Sequence, residues 1–433
     1  MLIIKNGTIV DPSNKIEKKA SLIIEDGKIK AISDDAAAGS FSNNTQCEVI
    51  DAKGCIVAPA LVDVHVHFRD PGFTYKEDIN TGAKAALKGG FGSVVLMANT
   101  KPPVDNEETL NYVIEKGKTT DLKIYTCATV SKGMKGQALT DMEALYSKGA
   151  AGFTDDGVPL MDKELLTRAM QKAAALNVPI SLHEENPALI TNNGINSGKA
   201  SEHFGIGGSP REAEISLIER DLEIALETGA PLNIQHISTK EGVELVRRAK
   251  RRGDNIHAEA TPHHFSLTED AAIKYGALAK MNPPLREEAD RLAIIEGLKD
   301  NTIDIIATDH APHSAEEKAK PITEAPSGII GLETALPLAI TNLLDTGALT
   351  ISEIIEKMSL NPARLYHLNA GTLSIGAPAD VVVFDVSALQ EIKGYASRSS
   401  NSPFTGKKLK GSVKYTIING TVVYNSFGCS AHL

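Results

Sequence analysis

Residues 63–72 read DVHVHFRDPG, an apolar run that ends in two histidines one residue apart and is followed by Arg69 and a Pro-Gly turn. Because successive side chains of a β-strand alternate between its two faces, His65 and His67 point the same way, with Asp63 below them. The stretch therefore predicts a strand that presents two imidazoles at its carboxyl end.

This run is the first of a series between about residue 57 and residue 365. Seven further runs of strand length alternate with longer stretches of helical period, and they read SVVLMAN, KIYTCAT, AAGFTDD, PISLH, LNIQH, IHAEAT and DIIATD. Alternating strands and helices form parallel sheets with helices packed outside. Eight such units predict an α/β fold, the TIM (β/α)8 barrel.

Two of the predicted helices carry local signals. The DNEE segment at residues 105–108 resembles a capping box. Asp162 begins a segment that places five apolar side chains on one helix face, namely Leu165, Leu166, Ala169, Met170 and Ala173. Both patterns are typical of helices rather than strands.

The two ends of the chain have a different pattern. Residues 1–56 contain short β-type runs with Asn-Gly, Asp-Gly and Lys-Gly turns, which predict hairpins and a small antiparallel unit. After about residue 366 the chain returns to such runs, in GTLSIGAPADVVVFD and SVKYTIINGTVVY. Because exposed sheet edges need covering, we expect residues 1–56 and 366–433 to join into one small β-sandwich beside the barrel of residues 57–365.

Composition excludes several classes of partner. The 433 residues are 42% hydrophobic and carry a formal charge of -10, which suits a large globular core and is the wrong sign for a nucleic-acid binder. The start, MLIIKNGTIVDPS, lacks a leader pattern, and no run approaches the ~18 apolar residues that span a bilayer. We expect a soluble cytoplasmic protein without membrane or nucleic-acid partners. The four cysteines, Cys47, Cys55, Cys127 and Cys429, lack CxxC spacing and are interpreted as packing residues.

Several other predicted strands also end in residues that can bind metal. Asp155 and Asp156 end the fourth run, His183 the fifth, His236 the sixth and Asp309 the eighth. One such histidine alone is better explained as a core or rim residue. Since the carboxyl ends of barrel strands meet at one face, however, all of them converge, and imidazoles with carboxylates suit zinc or a similar divalent ion.

The motifs HVHFRDPG, TDDG, SLHEEN, IQHIST, NPPLR and ATDHAPH together resemble the amidohydrolase superfamily and, within it, the type I dihydroorotase family. The resemblance covers nearly the whole chain, including the tail SNSPFTGKKLKGSV. HxH alone is a sign of the superfamily, whereas HFRDPG together with ATDHAPH is much more specific.

The resemblance implies a metal site of one or two zinc ions. His65, His67 and Asp309 bind one ion, His183 and His236 bind a second, and Asp156 bridges them. Asp156 is preferred to Asp155 because the family's ligand directly precedes the glycine, here Gly157. Hydantoinases, allantoinases and other dihydroorotases bridge their metals with a carboxylated lysine on the fourth strand. The stretch GAAGFTDDGVP has no lysine, the nearest being Lys148 and Lys163.

The resemblance also implies roles around the metals. Asp309 accepts the proton of the attacking water and passes it to the leaving amide nitrogen. Arg69, with its planar fork, holds the substrate carboxylate, accompanied by His67, Asn99 and His313. Asn282 and the backbone at Ser327 and Gly328 hold the polar edge of the ring. Asn99 and Asn282 have an alternative role as turn formers, and Ser327 departs from the apolar or aromatic residue frequent there.

The function implied is the reversible, zinc-dependent cyclisation of N-carbamoyl-L-aspartate to L-dihydroorotate in de novo pyrimidine biosynthesis. Two alternatives stay open: a partner-dependent or inactive subunit of aspartate transcarbamoylase, and a cyclic amidase of the allantoinase or hydantoinase type. A homodimer is expected, and some type I members need aspartate transcarbamoylase to complete their active loops.

The remaining histidines and one loop complete the predictions. We expect His263 and His264 to support or pack the site rather than bind metal, and the others to be structural or solvent-exposed, namely His203, His257, His367 and His432. The loop after Asp309, HAPHSAEEKAKPITEAPSGIIG, is either a moving active-site loop or a solvated connection.

Overall fold

The computed structural model describes residues 1–33 and 47–427. Cys429 and His432, about which the sequence made predictions, lie outside the described residues. Cys47, Cys55 and Cys127 are free thiols, and only Cys127 is fully buried.

The strands of the described residues fall into an outer set and a barrel set. The outer strands are β1 (Leu2–Asp11), β2 (Ile16–Glu25), β3 (Lys28–Ser33), β4 (Glu48–Asp51), β5 (Ile56–Pro59), β13 (Val381–Glu391), β14 (Lys408–Ile418) and β15 (Thr421–Asn425). The barrel strands are β6 (Leu61–Val66), β7 (Phe91–Leu96), β8 (Lys123–Thr126), β9 (Ile180–Leu182), β10 (Leu232–Ile234), β11 (Ile256–Ala260) and β12 (Ile305–Ile306).

Helices lie between the barrel strands and after the last of them. Their bounds are Ile79–Lys88, Glu107–Gly117, Met142–Ser147, Lys163–Leu176, Lys199–Phe204, Arg211–Thr228, Lys240–Lys250, Pro262–Ser266, Asp270–Tyr275, Glu288–Lys299, Ala315–Lys318, Ala335–Ala339, Ile351–Ile355 and Asn361–Leu365. The helix Ala335–Ala339 continues as a π-helical turn over Ile340–Leu344, and Ile351–Ile355 continues in the same way over Glu356–Leu360.

The outer strands form one eight-stranded sheet to which both ends of the chain contribute. Its order is β15-β14-β13-β5-β1-β2-β3, with β4 also paired to β1, and the antiparallel pair of β5 and β13 joins the two ends. Side chains of β2 and β14, which are four places apart in this order, share one buried apolar cluster that includes Leu22 and Ile417. The sheet therefore curves around its own core. The boundaries at residues 56/57 and 365/366 stay a prediction.

Of the three hairpin turns predicted near the start of the chain, one forms a hairpin and two do not. Asp26 and Gly27, both with positive φ, form the tight turn between β2 and β3 as predicted. Asn6, with φ 65°, instead forms a bulge inside β1, where the register with β2 shifts between Ile4 and Gly7. The turn at Lys53 and Gly54 leads from β4 to β5, which both pair with β1 in parallel, so the prediction of a purely antiparallel unit was wrong.

The barrel strands form two parallel sheets that single bridges connect. The first has the order β6-β7-β8 and the second β12-β11-β10-β9. Phe153, in the fourth predicted run, bridges in parallel to Ala128 on one side and Ile180 on the other, and Val66 bridges to His310. All eight predicted strand positions thus follow one another in parallel around a ring. The fourth of them is reduced to the bridges of Phe153.

The two sequence patterns that predicted helices are confirmed in part. The helix Lys163–Leu176 is capped by Asp162, and its buried side chains are the five predicted from the sequence. The DNEE interpretation was wrong in detail, because Asn106 caps the helix Glu107–Gly117 by accepting from the Thr109 N–H, without a reciprocal bond.

We expect Leu166→Ala to destabilise the barrel by about 2–5 kcal/mol, since Leu166 is fully buried and its truncation leaves a cavity. Gln171→Ala, on the exposed face of the same helix, should stay within about 0.5 kcal/mol of wild type. Denaturant midpoints of the two variants measure the difference. Equal midpoints would show that this face carries no core packing.

Candidate active site

The metal-capable residues predicted at the strand ends come together in one buried cluster. Two groups of three have ligand atoms within 4.8 Å of one another: His65, His67 and Asp156, and Asp156, His183 and His236. Asp156 belongs to both groups. It is therefore placed between two pairs of histidines, the position that the sequence assigned to a bridging carboxylate.

Asp309 completes the first group. Its Oδ1 lies 3.0 Å from His67 Nε2 and 3.6 Å from His65 Nε2. The same two nitrogens are each 3.5 Å from a carboxylate oxygen of Asp156. His65 and His67 thus face a space between two carboxylates.

The second group is held by contacts between imidazoles. His183 Nδ1 lies 3.0 Å from His236 Nε2, and the two nitrogens are 3.8 Å and 4.0 Å from Asp156 Oδ1. Asn282 Nδ2 lies 3.2 Å from His183 Nε2 on the other side of that ring.

One unpaired atom of the cluster fits a bound metal. Within residues 1–33 and 47–427, His65 Nε2 faces Asp156 and Asp309 and is buried without a hydrogen-bond partner. Buried polar atoms are normally satisfied, and carboxylates can only accept hydrogen bonds. Nitrogen lone pairs and carboxylate oxygens that converge in this way need a cation between them, and imidazole with carboxylate is a ligand set for a divalent metal.

The pKa values of two side chains in the cluster also indicate that this site favours positive charge. Burial on its own would lower the pKa of His65, but the carboxylates of Glu259 and Asp156 outweigh it and raise that pKa well above its usual value. Burial likewise would raise the pKa of Asp156, whereas His65, His67 and His183 lower it well below its usual value. Asp156 is therefore anionic in the folded chain.

Asp155 and Asp156 have different surroundings. Asp155 turns away from the cluster and accepts hydrogen bonds from the backbone N–H groups of Val130 and Ser131, at 2.8 Å and 3.2 Å. Its burial raises its pKa to about 6 despite these bonds. This geometry supports the interpretation that Asp156 is the ligand and that Asp155 stabilises the loop after β8.

A cavity of about 320 Å³ opens beside the cluster. Among its walls are most of the residues predicted to bind substrate or metal, namely His67, Arg69, Asn99, Asp156, His183, His236, Asn282, Asp309, Ser327 and Gly328. Asn193 and Lys280, which the sequence analysis did not single out, also line it. The cavity therefore connects the predicted metal ligands with the predicted substrate contacts.

Arg69 has no carboxylate within ion-pair distance among residues 1–33 and 47–427. Its Nε donates to the Pro312 carbonyl at 3.3 Å, and one Nη atom lies 3.5 Å from His313 Nε2. Burial lowers its pKa from the ordinary value, although the guanidinium remains a strong base. A half-buried guanidinium without an anion is suited to bind an anionic group of a ligand.

His313 lies behind Arg69 rather than in the cavity wall. Its Nε2–H donates to the Ser327 carbonyl at 2.8 Å, while its Nδ1 accepts from Lys76 Nζ at 3.3 Å. Burial first, and then the nearby charge of Arg69, lowers its pKa. His313 is therefore neutral, and it links the loop that contains Arg69 to the loop after β12.

Asn99 is also committed to bonds within the site. Its Oδ1 lies 2.9 Å from His67 Nδ1, and its Nδ2 donates to Asp156 Oδ2 at 2.9 Å. Asn99 thus orients one histidine and one carboxylate of the predicted metal site. A residue that only formed a turn would not need these two bonds.

The loop after β12 is fixed by residues that the sequence did not reveal. Asn401 accepts from the His313 N–H at 3.1 Å and donates to the carbonyls of Ala311 and Gly328, at 3.0 Å and 3.1 Å. Gly328 has φ +132°, and a Cβ there would lie 2.8 Å from Ala311 Cβ, so the position requires glycine. The SNSPFTG segment that carries Asn401 was noticed as a motif, but only the fold shows what it contacts.

Other histidines behave as predicted. His264 contacts Thr261 Oγ1 at 2.8 Å and the Pro283 carbonyl at 3.1 Å, so both its nitrogens are used outside the metal cluster. Its burial lowers its pKa to about 4. His257 pairs with Asp304 at 2.7 Å, away from the cavity.

The chain resembles known proteins over nearly its whole length. Residues 56–423 match the model of the amidohydrolase family. The chain therefore belongs to the amidohydrolase family, whose members depend on metal ions. It is 52% identical to "Dihydroorotase" of Clostridioides difficile (strain 630), over 98% of this chain and 100% of that protein, and 51% identical to "Dihydroorotase" of Clostridium acetobutylicum, over 98% and 99%. Within the family it groups with the dihydroorotases.

A solved structure supports the fold. The L-hydantoinase (dihydropyrimidinase) of Arthrobacter aurescens is 27% identical, with a TM-score of 0.87 over 98% of this chain and 96% of that one. The family and this neighbour imply a TIM barrel with a β-sandwich domain. No helix of the described residues is long and apolar enough to cross a membrane.

We expect Asp156→Asn to lose metal, because it removes the carboxylate that lies between both histidine pairs. Asp155→Asn, its neighbour and matched control, should keep the wild-type metal content and lose about 1–3 kcal/mol of stability from its loop bonds. Metal analysis of both purified variants distinguishes them. Loss of metal from Asp155→Asn alone would contradict the assignment.

We expect Asn401→Ala to raise KM for the substrate, because the loop that carries Ser327 and Gly328 loses three hydrogen bonds. The metal content should be unchanged, since Asn401 contacts no predicted ligand. Steady-state kinetics with metal analysis on the same sample measures both. Unchanged KM would show that the loop is held without Asn401.

Proposed function

We propose that the chain is a zinc-dependent dihydroorotase that interconverts N-carbamoyl-L-aspartate and L-dihydroorotate in pyrimidine biosynthesis. One observation carries this proposal: the Arg69 guanidinium, which has no ion-pair partner in the described ranges, shares a cavity with the metal-ligand cluster. Dihydroorotate combines an amide bond to be hydrolysed with a carboxylate to be held. The cavity contains the metal-ligand cluster for the amide bond and Arg69 for the carboxylate.

Zinc suits the donor set of four imidazoles and two carboxylates. His65, His67 and Asp309 would hold one ion, His183 and His236 a second, and Asp156 would bridge them. When bound, such an ion lowers the pKa of water toward neutrality and polarises a carbonyl group. Proton transfer and substrate orientation would then depend on side chains of the protein.

Asp309 is the proposed proton carrier. Its carboxylate stands at the cavity wall, 3.0 Å from His67 Nε2, and is largely buried. From there it can accept a proton from the attacking water and deliver it to the amide nitrogen as the ring opens. In the reverse direction Asp309 takes the proton from that nitrogen as the ring closes.

The substrate would be oriented by two sides of the cavity. Arg69 binds the carboxylate with its paired N–H groups, and Asn99 and His313 keep the surroundings of that subsite in place. On the other side, the buried Asn282 Oδ1 has no hydrogen-bond partner in the part of the chain that the structure describes, and it is available to accept from a ring N–H. The Gly328 N–H already donates to the Lys280 carbonyl at 2.9 Å, and the Ser327 carbonyl accepts from His313 at 2.8 Å, so the Ser327 N–H is the group of this loop that would contact the ring.

The geometry disfavours a hydantoinase-type activity, although the Arthrobacter protein is a structural neighbour. In that alternative a carboxylated lysine on the fourth strand bridges the metals. The fourth run, GAAGFTDDGVP, contains no lysine, and its Asp156 belongs to both groups of residues that could hold a metal. Uncharged rings would also leave Arg69 without a partner in a half-buried site, which is unfavourable.

An inactive subunit is disfavoured for a different reason. The predicted ligands, Asp309 and Arg69 are all present and converge on one cavity. Partnership with aspartate transcarbamoylase and a homodimer stay predictions from the resemblance. Sedimentation of the purified chain, alone and mixed with that enzyme, tests both.

We expect Arg69→Met to lower kcat/KM for L-dihydroorotate roughly 100-fold, because a charged pair of hydrogen bonds worth about 3 kcal/mol is lost. The metal content of this variant should stay at the wild-type value, because Arg69 is not among the predicted metal ligands. Arg168→Met, on an exposed helix position, is the matched control and should change neither quantity. Unchanged kcat/KM in Arg69→Met, or a loss that follows loss of metal, would contradict the carboxylate role of Arg69.

A further inference from the structure

Glu259 is a carboxylate of the barrel interior that neither the sequence motifs nor the ligand groups include. It lies on β11 and is fully buried, as is His65. Its Oε2 lies 3.0 Å from His65 Nδ1, on the side of the ring that faces away from the metal cluster. The contact joins a strand of the second parallel sheet to the first.

This contact selects one tautomer of the neutral His65 ring, the form in which an imidazole binds a metal. A carboxylate only accepts hydrogen bonds, so Nδ1 carries the hydrogen in the pair. The lone pair of the neutral ring is then on Nε2, which faces Asp156 and Asp309 at 3.5 Å and 3.6 Å and has no hydrogen-bond partner among the described residues. The ring is thus presented with its free nitrogen toward the proposed metal.

Glu259 is itself held in place. Asn233 Nδ2 donates to its other oxygen, Oε1, at 2.6 Å, and to Ser181 Oγ at 3.1 Å, which contacts the Tyr366 hydroxyl at 2.7 Å. Among the described residues no Lys or Arg is paired with Glu259. A buried carboxylate without a fixed cationic partner is costly, and a metal ion held by His65 would supply positive charge on the far side of the imidazole.

We propose that Glu259 is a positioning residue of the metal site: it orients His65, sets its tautomer and increases the affinity of the ion that His65 and His67 hold. This inference rests on the metal site of the proposed function. Carboxylate partners of metal-bound histidines act in this way, and their loss typically costs about 10–100-fold in metal affinity.

Loss of Glu259 should change the affinity for only one of the two metal ions. Glu259 contacts His65 but neither His183 nor His236, which belong to the other group. Loss of the carboxylate should therefore weaken one ion and leave the other nearly unchanged. A merely structural role in the core would lower the stability of the whole barrel and weaken both ions together.

The test is Zn2+ binding to the metal-stripped full chain, by competition with a chromophoric chelator, for wild type, Glu259→Gln and Glu214→Gln. Glu214 is a buried acid of the same barrel whose carboxylate accepts from the Ser238 N–H and hydroxyl, so it controls for loss of a buried charge. We expect Glu259→Gln to bind one ion about 10–100-fold more weakly, with the second affinity kept, and Glu214→Gln to keep wild-type affinities.

A second variant keeps the test decisive if Glu259→Gln does not fold. Asn233→Ala frees only Glu259 Oε1 and should weaken the same ion by a smaller factor. Wild-type affinities in folded Glu259→Gln, or equal weakening of both ions, would overturn the inference. A wild-type chain that binds no Zn2+ would instead contradict the proposed function itself.

Discussion

The carboxylate of Asp156 lies within 4.0 Å of a nitrogen from each of four histidines, His65, His67, His183 and His236. These rings lie at the carboxyl ends of three strands, β6, β9 and β10, so the cluster exists only if those strands end at one face of a closed parallel sheet. Phe153 bridges on both sides and leads the chain directly to Asp156, and the bridge of Val66 to His310 places His67 beside Asp309. The fold and the site therefore depend on the same few backbone contacts.

The cavity contains two kinds of charged group. Acidic side chains surround the histidines, which favours bound cations, whereas Arg69 lines the same cavity and has no ion-pair partner among the described residues. A small ligand with a carboxylate at one end and a hydrolysable amide at the other satisfies both kinds of group at once. The loop after β12 joins them, since its His313 lies behind Arg69 and its glycine, Gly328, forms part of the cavity wall.

Much of this arrangement could be predicted from the sequence because it depends on local pattern. The alternation of apolar runs and helical periods placed all eight strand positions, and polar residues at the ends of those runs marked the ligands. The bulge at Asn6 was not predictable, because Asn-Gly suits a hairpin and a bulge equally. Glu259 and Asn401 were missed for another reason: their partners are 194 and 88 residues away, and a buried Glu within an apolar strand looks the same in sequence whatever it contacts.

The central claim is that the metal cluster and Arg69 act on one substrate, L-dihydroorotate. The most direct measurement is turnover by the purified wild-type chain, with zinc added and then removed by a chelator, on L-dihydroorotate, hydantoin, dihydrouracil and allantoin in parallel. The account predicts turnover confined to L-dihydroorotate, lost with the metal and restored by it. Turnover of the uncharged rings with none on L-dihydroorotate, or turnover that survives complete metal removal, would contradict it.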